Sequence, residues 1–170
     1  MFIWSDPIQA DKATENCFPG GKGCFRCAKE TVVFMTRKEA RKTVFGLLFE
    51  SGFKPDEQAL DIYNIAAEDR EIEDDLYVRQ VYFGVHENLK KLDDVIREHS
   101  HGWKPERMSR VSRTVLRIAV YEMLFMEGVP APVSINEALE LTKEYDDDKA
   151  RAFVNGVLTA VKDSLGGDKN

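Results

Sequence analysis

From Thr36 almost to the end of the chain, apolar residues return at intervals of three and four, the period of helices with one buried face. Ala40, Val44, Leu47 and Leu48 mark the first stripe, and Thr36 with Glu39 has capping-box spacing at its start. Gly52 and Pro55 predict where it stops. A second helix is expected over about 56–67 and a long third over about 73–98, where Val78, Val81, Tyr82, Val85, Leu89, Leu92 and Ile96 keep the period without a break. Gly102 and Pro105 close that stretch. The pattern resumes over about 107–127 through Val111, Val115, Ile118, Ala119 and Leu124, and Gly128, Pro130 and Pro132 follow as stop signals. A helix over 134–145 comes next, with Ser134 and Glu137 spaced as another capping box. The last, about 147–165, has the cleanest stripe: Ala150, Phe153, Val154, Val157, Leu158, Val161 and Leu165. Asp146, Asp147 and Asp148 put negative charge where its N-terminal dipole favours it. No segment alternates with a period of two between turns, so the pattern predicts an all-α bundle.

Residues 1–34 are different. Pro7, Pro19 and the run Gly20-Gly21-Lys22-Gly23 stand there without periodicity, which predicts a loop-rich or disordered extension ahead of a compact domain over 35–170. Cys17, Cys24 and Cys27 all lie in this segment, an odd number that argues against a disulfide framework for the core. Three thiolates are also one short of the usual four ligands of structural zinc, so no metal is expected. An apolar content of 43% with 32% charged residues suits one globular domain. No apolar run approaches the ~20 residues of a membrane span and no secretory leader pattern occurs, so a cytoplasmic chain is expected.

The formal charge of −6 falls wholly after Phe34, because the first 34 residues balance four Lys/Arg against four Asp/Glu. An acidic body is a poor general binder of polyanions, so any nucleic-acid contact must come from a local basic patch. Arg37, Lys38, Arg41 and Lys42 form one. They occupy the first two turns of the first helix, where positive charge opposes the macrodipole at roughly 0.3–1 kcal/mol per exposed group. At i to i+4 spacing Arg37 neighbours Arg41 and Lys38 neighbours Lys42; the cluster reads either as a solvated helix end or as a phosphate contact. Lys149, Arg151 and Phe153 open the last helix, whose free N–H groups suit an anion. Arg117 reads as an internal ion-pair partner of Glu122 or Glu137, and Asp74-Asp75 and Asp93-Asp94 as solvated faces. Asn136 and Asn155 read as structural amides, and Gly156 as a site of close helix approach. No Ser/His/Asp arrangement, phosphate-cradling glycine loop or H-E-x-x-H is present, so neither catalysis nor a cofactor is expected.

Three blocks carry a family resemblance: TRKEARKTVFGLLF over 36–49, VSRTVLRIAVYEM over 111–123 and SINEALELTKEYDDDKARAFVNGVL over 134–158. In this order they resemble the NusB family of bacterial transcription antitermination factors, over 35 to about 165. The resemblance implies about six or seven helices in two subbundles and no enzymatic activity. It also implies binding of boxA RNA in nascent transcripts together with NusE, a small-subunit ribosomal protein. Attachment to the elongating RNA polymerase on ribosomal RNA operons would follow, and a homodimer is compatible with the family. By motif position Arg37, Lys38 and Arg41 are implied RNA contacts, joined by Lys42. Glu39 stands where many relatives keep a basic residue, which weakens the patch. Phe49 falls where a tyrosine is common and could stack on a base, although core packing is the competing reading. The resemblance extends RNA contact to the region of Lys149, Arg151 and Phe153, and places Ser112 on a partner-facing surface. A module that binds only protein is the alternative. A methyltransferase is a third reading, since a similar domain precedes some ribosomal-RNA cytosine methyltransferases, but no cofactor-binding glycine motif supports it.

Overall fold

The computed structural model describes residues 35–69, 75–100 and 108–167. Among these there are seven helices and no strand: α1 Arg37–Ser51, α2 Ala59–Asp69, α3 Leu76–Glu87, α4 Leu89–His99, α5 Arg110–Phe125, α6 Ala131–Tyr145 and α7 Asp148–Gly167. The all-α expectation is met. Residues 1–34, with the three cysteines, lie outside the described residues.

Side-chain caps fix four of the starts: the first is where the sequence predicts it, whereas Asp75, expected on a solvated face, proves to be a cap. Thr36 and Glu39 make the expected capping box on α1, with the Glu39 N–H donating to Thr36 Oγ1 at 3.3 Å and the Thr36 N–H to Glu39 at 2.8 Å. Asp75 accepts from the Tyr77 and Val78 N–H groups, Ser109 from Ser112, and Asp147 from Ala150. The start of α6 departs from expectation. Ser134 is not a cap but a buried residue inside the helix, because Pro130 takes the N-cap place and Pro132 fits the first turn, where a missing N–H costs nothing. The prolines read as stop signals therefore begin a helix.

The expected long helix over 73–98 is two. Asn88, at φ −109° and ψ 14°, separates α3 from α4, and its side-chain amide donates to the Gly84 carbonyl at 2.8 Å. A short polar side chain that competes for the backbone breaks the helix while leaving the apolar stripe in register: Val78, Val81, Tyr82, Val85, Leu92 and Ile96 are all buried.

The hub is α5, which packs against α1, α3, α4, α6 and α7. Its buried residues Val115, Leu116, Ile118, Ala119 and Val120 join those of the neighbouring helices in one core cluster. Val154, Val157, Leu158 and Val161 supply the inward face of α7. At 100° per residue that stripe turns Asn155 and Gly156 outward, so both are exposed, as is Asn136 on α6. The expected buried amides and close approach at Gly156 are thus corrected; a Cβ on Gly156 would meet nothing within 4 Å. The close approach is at Gly84 instead, where a Cβ would lie 2.1 Å from Tyr121 Oη and 2.3 Å from its ring carbon Cζ. Arg117 does form an ion pair, but with Asp93 of α4, in two bonds of 2.8 and 2.7 Å. Asp93 is correspondingly no solvated face.

A cleft of about 270 Å³ opens between the 52–58 loop and α3 and α5, lined in part by Leu48, Ile62, His86, Leu89, Thr114 and Arg117. Among the described residues His86 Nε2 is buried there without a hydrogen-bond partner, its ring edge-on to Tyr82 at 4.7 Å. Burial first, and then the Arg117 charge, hold its pKa below the ordinary 6.5.

Two outcomes follow. Gly84→Ala should lower stability by about 1–3 kcal/mol in urea unfolding, because the rigid Tyr121 ring must move. Since His86 is neutral in the folded chain and takes a proton when unfolded, stability should fall as pH drops below about 6.5. Comparison of urea midpoints at neutral and mildly acidic pH should show a smaller fall in His86→Gln than in the parent.

Candidate nucleic-acid interface

The four cations of α1 have four different surroundings. Arg37 is exposed, its guanidinium 4.7 Å from the centre of the Tyr77 ring. Lys38 is exposed on the next face. Lys42 is half-exposed, with Nζ 2.8 and 2.7 Å from the two carboxylate oxygens of Glu144. The hydrogen bond to Glu144, first among the causes, raises the Lys42 pKa and lowers that of Glu144.

Arg41 is only 5% exposed and points inward. Its Nε donates to Glu122 of α5 at 2.8 Å, and Nη1 lies 3.5 Å from Glu137 of α6. Tyr77 of α3 donates its hydroxyl to the same Glu122 oxygen. Burial opposes the charge on Arg41, but the carboxylates of Glu122 and Glu137 hold its pKa above the usual value. Burial, then the Glu122 charge, push the Tyr77 phenol up, so it stays a donor. Arg41 as an RNA contact is therefore corrected: it is a buried tie between helices. Sequence spacing placed it beside Arg37 correctly, yet Ala40, Val44 and Leu48 define the inward face on whose edge it falls.

Phe49 is partly buried within a ladder of rings along α1. Phe45 lies 5.8 Å and Phe53 5.2 Å from it between ring centres, and Tyr145 at the end of α6 is 4.8 Å from Phe45. Both ends of the ladder reach solvent, Phe53 at 58% and Tyr145 at 45% exposure. Arg110, the first residue of α5, lies 4.2 Å over the Phe53 ring and donates to the Gly52 carbonyl at 3.2 Å. Sequence reasoning missed Phe53, Tyr145 and Arg110. The i, i+4 recurrence of Phe45, Phe49 and Phe53 was readable, whereas the meeting with Arg110 requires the fold.

The turn between α6 and α7 is pinned to the same place. Asp146 accepts from Ser109 at 2.5 Å and from Ser112 at 3.1 Å, and Asp147 caps α7, so two of the three aspartates are engaged within the chain. Ser112 is buried by this network and is not itself a surface contact. Beyond the turn, Lys149 is exposed and Arg151 half-exposed, while Phe153 packs partly against the core. From Lys42 beside the end of α6, through Tyr145 and the rings of the ladder, to Arg110 at the start of α5, cations and accessible rings thus follow one another along α1, with the α6–α7 turn pinned to the start of α5. Such a face can hold phosphates and stack unpaired bases.

A family model described as the NusB family matches residues 37–163. The chain belongs to the NusB family. The transcription antitermination protein NusB of Bacillus licheniformis is 39% identical over 137 residues, covering 77% of this chain and 99% of that protein. Its counterpart in Clostridium perfringens is 41% identical over 131 residues, covering 75% and 96%. Among solved structures, NusB of T. maritima aligns with a TM-score of 0.69 at 35% identity, over 75% of this chain and 91% of that one. A crystal structure of antitermination factors NusB and NusE in complex with double-stranded RNA contains a chain that aligns with a TM-score of 0.67 at 27% identity. The alignment covers 75% of this chain and 96% of that one. The NusB match begins two residues after Met35, at the first residue of α1.

Arg41→Ala should destabilise the fold by roughly 3–5 kcal/mol, because it leaves Glu122 buried and unpaired. Arg37→Ala and Lys38→Ala, by contrast, should stay within about 0.5 kcal/mol of the parent in the same thermal or urea melts.

Proposed function

We propose that this chain is a transcription antitermination factor that binds boxA-type RNA together with NusE and attaches it to elongating RNA polymerase, promoting processive transcription of ribosomal RNA operons. Acting on nascent transcripts places it in the cytoplasm. No helix among the described residues is long and apolar enough to cross a membrane, which is compatible with that role.

The observation that carries the reading is a run of accessible cations and rings along α1 and the segments packed on it, in an otherwise acidic body. Arg37, Lys38 and Lys42 supply charge for phosphates, and Phe53 with Arg110 supplies a stacking platform. Tyr145 and Phe49 extend the platform, and Lys149 and Arg151 offer further charge at the start of α7. The related NusB found with NusE and RNA supports the pairing of this fold with both partners. With Arg41 turned inward and Lys42 tied to Glu144, the free charge is small, and affinity depends on NusE. The role is positioning rather than catalysis.

The same sparse charge favours the one alternative worth carrying, a module that docks protein alone. Titration of labelled boxA RNA with and without NusE separates the two. Replacing Arg37, Lys38 and Lys42 by alanine should weaken RNA binding and reduce the log–log salt slope by about 0.7 for each phosphate that is no longer neutralised, while NusE still associates. Phe53→Ala should cost about 1–3 kcal/mol of RNA affinity. Unchanged RNA binding in both variants would leave the protein-only module standing.

A further inference from the structure

An acidic ridge on α6 faces the basic ridge of α1. Glu137, Glu140 and Glu144 recur at three and four residues, and they line one shallow groove with Lys38, Arg41 and Lys42. At its inner end this pairing is structural, because Glu137 assists the buried Arg41. At its outer end Lys42 and Glu144 meet in water, with side chains 36% and 43% exposed. Both Glu144 oxygens sit within 2.8 Å of the ammonium, which is where phosphate oxygens would bind it. The Glu144 carboxyl is held below its ordinary pKa, by Lys42 first and with a contribution from Lys38, so it stays charged within reach of both lysines.

We propose that Glu144 is a built-in competitor for RNA phosphate, occupying Lys42 in the free protein and lowering the affinity of the α1 face because RNA must displace it. This rests on the RNA-binding reading of that face. After displacement the carboxylate stays beside the incoming phosphate and keeps a cation there, so Lys42 contributes little counterion release. Neutralising Glu144 therefore strengthens binding, an effect that a purely structural salt bridge does not produce.

The test uses the full chain and a labelled single-stranded boxA RNA oligonucleotide, with affinity measured across a salt series with and without NusE. Glu144→Gln is compared with Glu98→Gln, which makes the same change in net charge on exposed α4. Glu144→Gln should bind roughly two- to fivefold more tightly than Glu98→Gln at low salt, the range of a released surface pair. Its log–log salt slope should steepen by about 0.7. Adding Lys42→Ala to Glu144→Gln should abolish both gains, with thermal midpoints of the Glu144→Gln and Glu98→Gln proteins matching the parent. Equal affinity in Glu144→Gln and Glu98→Gln, or a gain that persists without Lys42, overturns the proposal. Absence of RNA binding by the parent and every variant instead removes the RNA reading, and this inference with it.

Discussion

The buried pair of Arg41 and Glu122 is the constraint on which the arrangement of helices depends. Glu122 is 1% exposed at the inner side of α5, and it receives Arg41 from α1 and the Tyr77 hydroxyl from α3. A lone carboxylate or guanidinium there would carry an uncompensated charge in an apolar core, a far larger cost than a poorly packed methyl group. Apolar surfaces tolerate small rotations and slides; a charged pair with directed bonds does not. Three helices are thereby fixed at one junction, and Glu137 brings in α6 as a fourth.

That junction also shapes the outer surface. Because Arg41 is used inside, the basic end of α1 faces solvent with fewer cations than its composition indicates. Arg37 lies over the ring of Tyr77, whose hydroxyl is engaged with Glu122, so one ring bridges the buried pair and the exposed start of α1. Around it, Asp146 draws the start of α5 and the α6–α7 turn together through two serine hydroxyls. The face is assembled from segments far apart in sequence, and its charge is set as much by carboxylates from α6 as by the lysines of α1.

The legible parts of this chain were those governed by local rules. The capping box of Thr36 and Glu39, the stripe of α7 and the stop at Gly52 depend on neighbours within a turn or two, and each is present. The break at Asn88 was hidden because its apolar flanks stay in register across it. The capping-box spacing of Ser134 and Glu137 does not reveal that two prolines have already begun the helix upstream. Arg117 forms an ion pair within the chain, as its setting indicates, yet its partner is Asp93, since the choice among distant carboxylates depends on which helix lies alongside.

By itself the sequence determined the helical class, the family, the apolar faces and the concentration of basic residues at the start of α1, because periodicity and caps act over a few residues. Only the tertiary structure decided which of those cations are free. Arg37 and Arg41 are one helical turn apart and chemically identical, but the buried Glu122 carboxylate stands opposite the second, while the first stays exposed over the uncharged Tyr77 ring. A charge takes its role from the groups that long-range packing sets against it, and no local pattern specifies those.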